Sequence, residues 1–273
     1  MAVNSSVRAD SAKPDSYDPA YFAPLFAIED RHFWFRTRNT IIAALADQLT
    51  TALPSGYRVL EVGCGTGNVL RALKQTCRRG IVIGMDLFAE GLHYAQQRSD
   101  AQLLQGDMRA PPFAAQFEVI GLFDVLEHLP DDRQVLTDLH KMLAPGGALL
   151  LTVPAHMSLW SYFDEASHHV RRYAVTELED KLIATGYEIK FISQYMATLF
   201  PIVWLWRRVA ACLDHRPPST PFRADELAYN ELRILPIVNG WMALVLQLEA
   251  IILNRRRPLP FGTSLIAVAR KVA

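Results

Sequence analysis

From Tyr57 onward, short apolar runs alternate with segments of helical spacing. The runs are "YRVLEVG", "GIVIGMD", "AQLLQGD", "FEVIGLFDVL" and "ALLLTVPA", and between them stand "NVLRALKQT", "AEGLHYAQQR" and "DDRQVLTDLHKMLA". Near-continuous apolar strands separated by helices predict a parallel sheet covered on both faces. "APGG" supplies a glycine stop for the last of these helices. A further helix, "VTELEDKLIATG", leads to a strand, "YEIKFISQY". Then the pattern changes. "TLFPIVWLWRRVAACL" and "LRILPIVNGWMALVLQLEAIILNRRR" are longer and more apolar, and a proline-rich break, "HRPPSTPF", separates them. A last strand, "SLIAVARK", follows. The last two strands are expected to be sheet neighbours although about sixty residues interrupt them, which is long for a connection. The predicted organisation is a doubly wound α/β domain with an apolar helical insertion before its last strand. Residues 1–20 form a loose tail, 21–56 an aromatic helical lid, 57–196 the core, 197–262 an insertion capping an acceptor site, and 263–273 the final strand.

Composition narrows this reading without changing it. The chain has 273 residues, 51% of them hydrophobic and 21% charged, with a formal net charge of zero. That is enough for a sizeable core and gives no electrostatic footprint for nucleic acid. Three dispersed cysteines argue for a reducing compartment, and the polar first twenty residues lack the apolar stretch of a signal peptide, so a cytoplasmic placement is expected. No two histidines stand at i, i+4 with an acid between them, and the cysteines lack ligand spacing. The sequence therefore predicts no metal set.

The chemistry gathers at the strand ends. "VLEVGCGTGN" places Glu61 at the end of the first strand, followed by Gly63, Gly65 and Gly67. Such glycines let the backbone turn sharply and approach a ligand closely. A dinucleotide fingerprint would need Gly or Ala where Asn68 stands, and Glu61 is a poor neighbour for a pyrophosphate. An acid there suits a ligand carrying an amino group. Asp86, nineteen residues beyond Gly67 at the end of the second strand, can accept both hydroxyl protons of a ribose. Asp107 can reach an adenine amino group while Met108 packs on the ring. Adenosine with a cationic amino-acid tail and no phosphate describes S-adenosylmethionine.

"VLEVGCGTGN", "GMDLFAEGLHYA", "GDMRAPPF", "FDVLEHLPD" and "LAPGGALLLTVPA", in that order over residues 57–155, resemble the successive motifs of class I S-adenosylmethionine-dependent methyltransferases of the type 11/12 kind. The resemblance implies a seven-stranded sheet with the last strand antiparallel. It places Glu61 at the methionine amino group and has Gly63, Cys64, Gly65 and Gly67 line the methionine tail. Asp86 would hold the ribose and Leu87 would pack on the adenine. Asp107 and Met108 complete the adenine site, and Phe123 stands beside the sulfonium.

Three segments remain. In "RHFWFRTRNT", Trp34 and its neighbours can shield the cofactor pocket while Arg38, or Arg36, pairs with the methionine carboxylate. "HFWF..R" resembles an opening found in a subset of these enzymes. The competing reading is that Phe33, Trp34 and Phe35 anchor a helix and the arginines are solvated. In "DEASHHVRRYAVTELEDKL", His168 or His169 can take a proton from an acceptor, and Arg171, Arg172 or Tyr173 can bind an acidic one. The same stretch also reads as packing histidines before a helix, with Thr176 as N-cap and Glu179 closing a capping box. Glu127 and His128 read as scaffolding at a helix entrance. In the insertion, Asn239, Gln247 and Asn254 cluster on a helical wheel opposite Trp241, Leu244, Leu248, Ile251 and Ile252, and "NRRRP" follows. A cap over the acceptor that touches an anionic membrane surface is favoured over a span, with plain core packing as the rival. The expected activity is methyl transfer to a small or lipid-like acceptor. The alternatives are a catalytically silent membrane-associated binding protein of the same fold and a nucleotide-dependent oxidoreductase.

Overall fold

The computed structural model of the chain describes residues 18–111, 113, 116–213 and 234–272. Its centre is a sheet of β1 (Arg58–Val62), β2 (Ile81–Asp86), β3 (Gln102–Gln105), β4 (Phe117–Phe123), β5 (Leu143–Pro154), β6 (Tyr187–Tyr195) and β7 (Ser264–Lys271). The spatial order is β3-β2-β1-β4-β5-β7-β6. Strands β1 to β5 run parallel, and β7 inserts antiparallel between β5 and β6. The order reverses direction between β1 and β4, and an open α/β sheet binds its ligands at the carboxyl ends beside such a reversal.

Side chains alternate across the sheet with period two. Ala148 and Leu150 of β5 join Ile266 and Val268 of β7 in one core, whereas Leu149, Leu151 and Val153 join Leu265 and Ala267 in the other. The first core is closed by α2 (Phe33–Thr50), α3 (Asn68–Thr76) and α9 (Pro236–Asn254), the second by α5 (Asp132–Met142) and α7 (Val175–Ala184). Four shorter or peripheral helices complete the description: α1 (Phe22–Ile28), α4 (Ala89–Arg98), α6 (Tyr162–Ala166) and α8 (Phe200–Leu213).

The insertion is helical as expected, and α9 is apolar both toward the core and outward. Its buried Leu246, Ala250 and Leu253 pack with α2, and Gln247 borders a cleft beside Thr37 and Thr40 of that helix. The apolar Ile237, Trp241, Leu244 and Leu248 face outward, with Trp241 65% exposed. Helix α8 likewise exposes Ile202, Trp204, Leu205 and Val209. The break "HRPPSTPF" lies outside the described residues.

Several sequence boundaries shift. Residues 1–17 of the expected loose tail lie outside the described residues, but residues 18–20 are structured: Asp18 accepts the Ala20 amide and caps a short 3-10 helix, Pro19–Tyr21. Strand β5 begins at Leu143, directly after α5, so "APGG" lies inside the strand rather than as a glycine stop to the helix. Helix α7 starts at Val175, and its N-cap is Ala174 with no side-chain bond, so Thr176 is not the cap. The capping box is upstream at Ser161 and Asp164, where α6 begins.

The packing of α9 gives a direct contrast. Leu253→Ala, at a site with 0% exposure, should cost about 2–5 kcal/mol. Trp241→Ala should stay within about 0.5 kcal/mol, as for ordinary surface sites. Equilibrium denaturation of the purified protein measures both. Equal losses would mean that α9 presents a different face to the core.

Candidate functional site

The loop after β1 is built by close approach. The amides of Gly63 and Cys64 both donate to the Met85 carbonyl, at 2.8 and 3.0 Å. Gly63 has φ 71°, and a β-carbon there would stand 2.5 Å from a Val125 methyl. Gly67 has φ 77° and would meet the Ala95 backbone at 2.8 Å. Only glycine satisfies both conditions. The Gly65 amide donates to Asp86 Oδ2 at 2.7 Å, and Phe88 donates to Oδ1 at 2.9 Å. Asp86 thus ties the β1 loop to the turn after β2. Burial pushes its carboxyl up, against the amide donors that hold it ionised.

Glu61 is the unbalanced group. It is 2% exposed, and its Oε2 has no hydrogen-bond partner. Burial drives its carboxyl well above the usual range; Arg38 opposes this, and Asp86 and Glu29 reinforce it. A buried carboxylate oxygen without a donor is costly unless a cation or proton reaches it.

The segment before β1 closes over the loop. Phe22 is 5% exposed and stands 3.5 Å from a β-carbon placed on Gly65. Glu29 accepts from the Thr66 hydroxyl at 2.5 Å and pairs with Arg98. Arg98 also donates to the Phe26 carbonyl at 2.6 Å and lies 4.2 Å from the Phe26 ring centroid. Asp30 accepts from Asn68 at 3.0 Å and from Arg71 at 2.7 Å. Asn68, which breaks the dinucleotide fingerprint, therefore helps to hold this lid down.

The opening stretch forms the start of α2, with His32 Nδ1 accepting the Trp34 amide at 3.2 Å. Phe33 and Trp34 pack on the first core, and Phe35 is buried. Arg38 is not solvated. It is 7% exposed, donates through Nη1 to Asp124 at 2.6 Å, and lies 4.9 Å from the Trp34 ring. Its Nε has no partner. Asp124, the residue after β4, is itself left-handed (φ 54°), and Thr152 donates to its other oxygen at 3.1 Å. The aromatics anchor the helix, and they also carry an arginine to the strand ends.

The other expected site residues divide. Cys64 is buried in the first core with its thiol pushed up by burial, and Phe123 is buried in the same core. Met108 packs in the second core, and Leu87 is 38% exposed beside Asp86. Asp107 is gripped by Arg109, which holds its carboxyl below the usual range. The two histidines separate as well. His168 is exposed in a left-handed turn, whereas His169 Nδ1 lies 2.9 Å from Asp164. Arg171, Arg172 and Tyr173 are engaged within the fold rather than offered to an acidic acceptor. Arg171 pairs with Asp132 at 2.5 Å, Arg172 with Asp164 at 2.6 Å, and the Tyr173 hydroxyl donates to Asp132 at 2.9 Å. Sequence reasoning missed Asp124, Glu29 and Arg98. The available signal was that Asp124 directly follows the central β4 run.

Residues 31–190 match the family described as a methyltransferase domain. The chain is 27% identical over 198 residues to the 2-phytyl-1,4-naphtoquinone methyltransferase of Thermosynechococcus vestitus, which spans 70% of this chain and 80% of that protein. It is 36% identical over 108 residues to the ubiquinone biosynthesis O-methyltransferase of Psychrobacter arcticus, covering 36% of this chain and 41% of the relative. Among solved structures, the plantazolicin methyltransferase BpumL in complex with SAH superposes with a TM-score of 0.56. It is 15% identical, and the match covers 96% of this chain and 92% of that one.

The lid makes a specific demand on Arg98. Arg98→Met leaves Glu29 buried and unpaired, a loss of about 3–5 kcal/mol. Arg71→Met removes a half-exposed pair and should cost no more than about 1 kcal/mol. Denaturation curves measure both, and amide exchange over residues 22–32 should accelerate in the Arg98 variant alone. Unchanged exchange there would remove Arg98 from its role as the clamp.

Proposed function

We propose, from the premise that the chain belongs to the class I S-adenosylmethionine-dependent methyltransferases, that it methylates a lipid-like, quinone-type acceptor presented at a membrane surface. The cofactor is S-adenosylmethionine. The residues at the strand ends fit it: the orphaned Glu61 Oε2 suits an ammonium, and the tight glycine loop suits a ligand pressed against backbone. When bound, S-adenosylmethionine supplies a methyl group on a sulfonium, an electrophile that needs alignment and a dry site more than it needs a catalyst.

In this reading Glu61 takes the ammonium. Arg38, with Nε free, takes the carboxylate from its seat on Trp34. Asp86 turns its carboxylate to the ribose hydroxyls, and Leu87, Asp107 and Met108 border the adenine. Gly63, Cys64, Gly65 and Gly67 line the tail, with Phe123 at the strand end. The lid from Phe22 to Asp30 excludes water.

The observation that carries the acceptor class is the outward apolar face of α8 and α9, joined to the lid itself. Asn239 of α9 accepts the Phe33 amide at 2.8 Å and donates to the Arg31 carbonyl at 3.0 Å, on either side of the turn between α1 and α2. A helix that packs Leu246, Ala250 and Leu253 on the enzyme and still exposes Ile237, Trp241 and Leu248 is suited to an interface with lipid. Arg255 and Arg257, both exposed at its end, suit anionic head groups. Among the described residues Pro236–Asn254 is the one helix long and apolar enough to cross a membrane, with a mean hydropathy of 1.6. Its packing on α2 and its bonds to the lid favour a surface position over a span. The quinone-type acceptors named for the two curated relatives accord with such a surface, and the internal engagement of Arg171 and Arg172 speaks against a small polyanionic acceptor.

Two outcomes test the reading. Glu61 is held protonated to higher pH than a free carboxyl, and the donor's ammonium favours its ionised form. Donor binding therefore releases a proton, and affinity should rise with pH until the free protein's Glu61 has ionised, then level off. Calorimetry in buffers of different ionisation enthalpy reads this, and Glu61→Gln should flatten the slope. An affinity independent of pH in the wild type contradicts the assignment. For the acceptor, labelled methyl groups should enter the lipid fraction of a cell extract, and the protein should sediment with anionic vesicles more than with neutral ones. Salt and the double substitution of Arg255 and Arg257 by Gln should both weaken sedimentation. Label confined to water-soluble metabolites, with no vesicle binding, would overturn the lipid acceptor.

A further inference from the structure

We propose that Glu127, His128 and His169 form a divalent-cation site of the zinc class beside the donor site. Their ligand atoms all lie within 4.8 Å of one another, although the sequence places His169 forty-one residues beyond His128. Spacing along the chain therefore gave no hint of them. Glu127 and His128 lie in the turn after β4, and His169 follows α6. The Val170 amide donates to the Glu127 carbonyl at 2.9 Å and fixes the two turns together.

Three observations point to a cation. Glu127 is 1% exposed, and its Oε2 has no hydrogen-bond partner, so a buried acid oxygen is left open at the cluster. His169 is aimed: Asp164 engages Nδ1 at 2.9 Å, which leaves Nε2 3.9 Å from Glu127 Oε1. A carboxylate behind a histidine is the usual support of a metal ligand, fixing both tautomer and ring direction. Asp164 is itself fully buried and held by Arg172 at 2.6 Å, so this support is rigid. The third ligand is placed independently. The His128 ring meets the His169 ring edge-on at a centroid distance of 4.8 Å, and hydrogen bonds with the Ser167–His168 backbone position it.

Two imidazoles and one carboxylate are a borderline-soft donor set that suits zinc or a similar transition ion better than magnesium. Exposed His168 and Val170 border the cluster, so it adjoins solvent. It also adjoins Asp124, whose charge acts on Glu127. A cation there would bind an acceptor's oxygen and favour its ionised form, which makes it a better nucleophile. That last role rests on the methyl-transfer reading; the site itself does not. It also reassigns His169 from proton acceptor to ligand.

The test uses the metal-stripped full chain without donor or acceptor. Titration calorimetry with Zn2+ should give one site per chain, and Co2+ should develop visible ligand-field absorption that Zn2+ abolishes. His169→Ala and His128→Ala should each weaken binding at least tenfold. Asp164→Asn, which keeps the shape but loosens the orientation of His169, should weaken it about 10–100-fold. Donor affinity should stay at the wild-type value in His169→Ala, which shows that the variant is folded and keeps this test separate from that of the methyl-donor site. No binding by the wild type overturns the proposal. Binding that survives both histidine substitutions overturns it equally, because the ion then sits on other side chains.

Discussion

The carboxyl edge of the sheet buries more carboxylate than it has cations to match. Glu29, Glu61, Asp86 and Glu127 are each 6% exposed or less, and Asp124 stands among them. Two buried arginines answer. Arg98 neutralises Glu29, and Arg38 neutralises Asp124. Glu61 and Glu127 each keep an oxygen without a donor. Buried ions are tolerated only when paired, and removing a partner costs several kcal/mol. This imbalance organises the site: it leaves Glu61 and Glu127 open to a cation or a proton, and it explains why the lid is fastened by arginine.

The same constraint accounts for the long reach of the N-terminal segment. Arg38 could stay solvated if α2 were only a packing helix. Trp34 and Phe35 instead carry its guanidinium into the sheet edge, where cation–π contact replaces part of its lost hydration. The turn between α1 and α2 then becomes the joint between lid and insertion, because Asn239 bonds both Arg31 and Phe33. Helix α9 and the start of α2 are thereby held to the same turn.

Much of this was legible in the chain. Apolar runs identified the seven strands most clearly at β1, β4, β5 and β7, because strands buried on both faces leave few polar positions to blur them. The placement of Glu61, Gly63, Gly67 and Asp86 at strand ends and turns was legible because such places restrict residue type locally. What escaped was set by long-range pairing. The role of Asp124 depends on its own left-handed backbone and on an arginine 86 residues earlier in sequence. Thr176 had the right composition for a cap, yet the helix begins one residue earlier, at Val175, under the isolated bridge between Ala155 and Tyr173. Arg171 and Arg172 looked available for a ligand because sequence cannot show that Asp132 and Asp164 already occupy them.

The central claim is that Glu61 is a buried, uncompensated acid whose charge is completed by the donor. The most direct measurement is a carboxyl-carbon NMR titration of isotope-labelled glutamate, with Glu61 assigned by comparison with Glu61→Gln. The account predicts that the Glu61 signal titrates well above the ordinary carboxylate range in the free protein. Saturating S-adenosylmethionine at a pH within that window should move it to its ionised position. A Glu61 signal that titrates in the ordinary range, or that the donor leaves unchanged, would contradict the account.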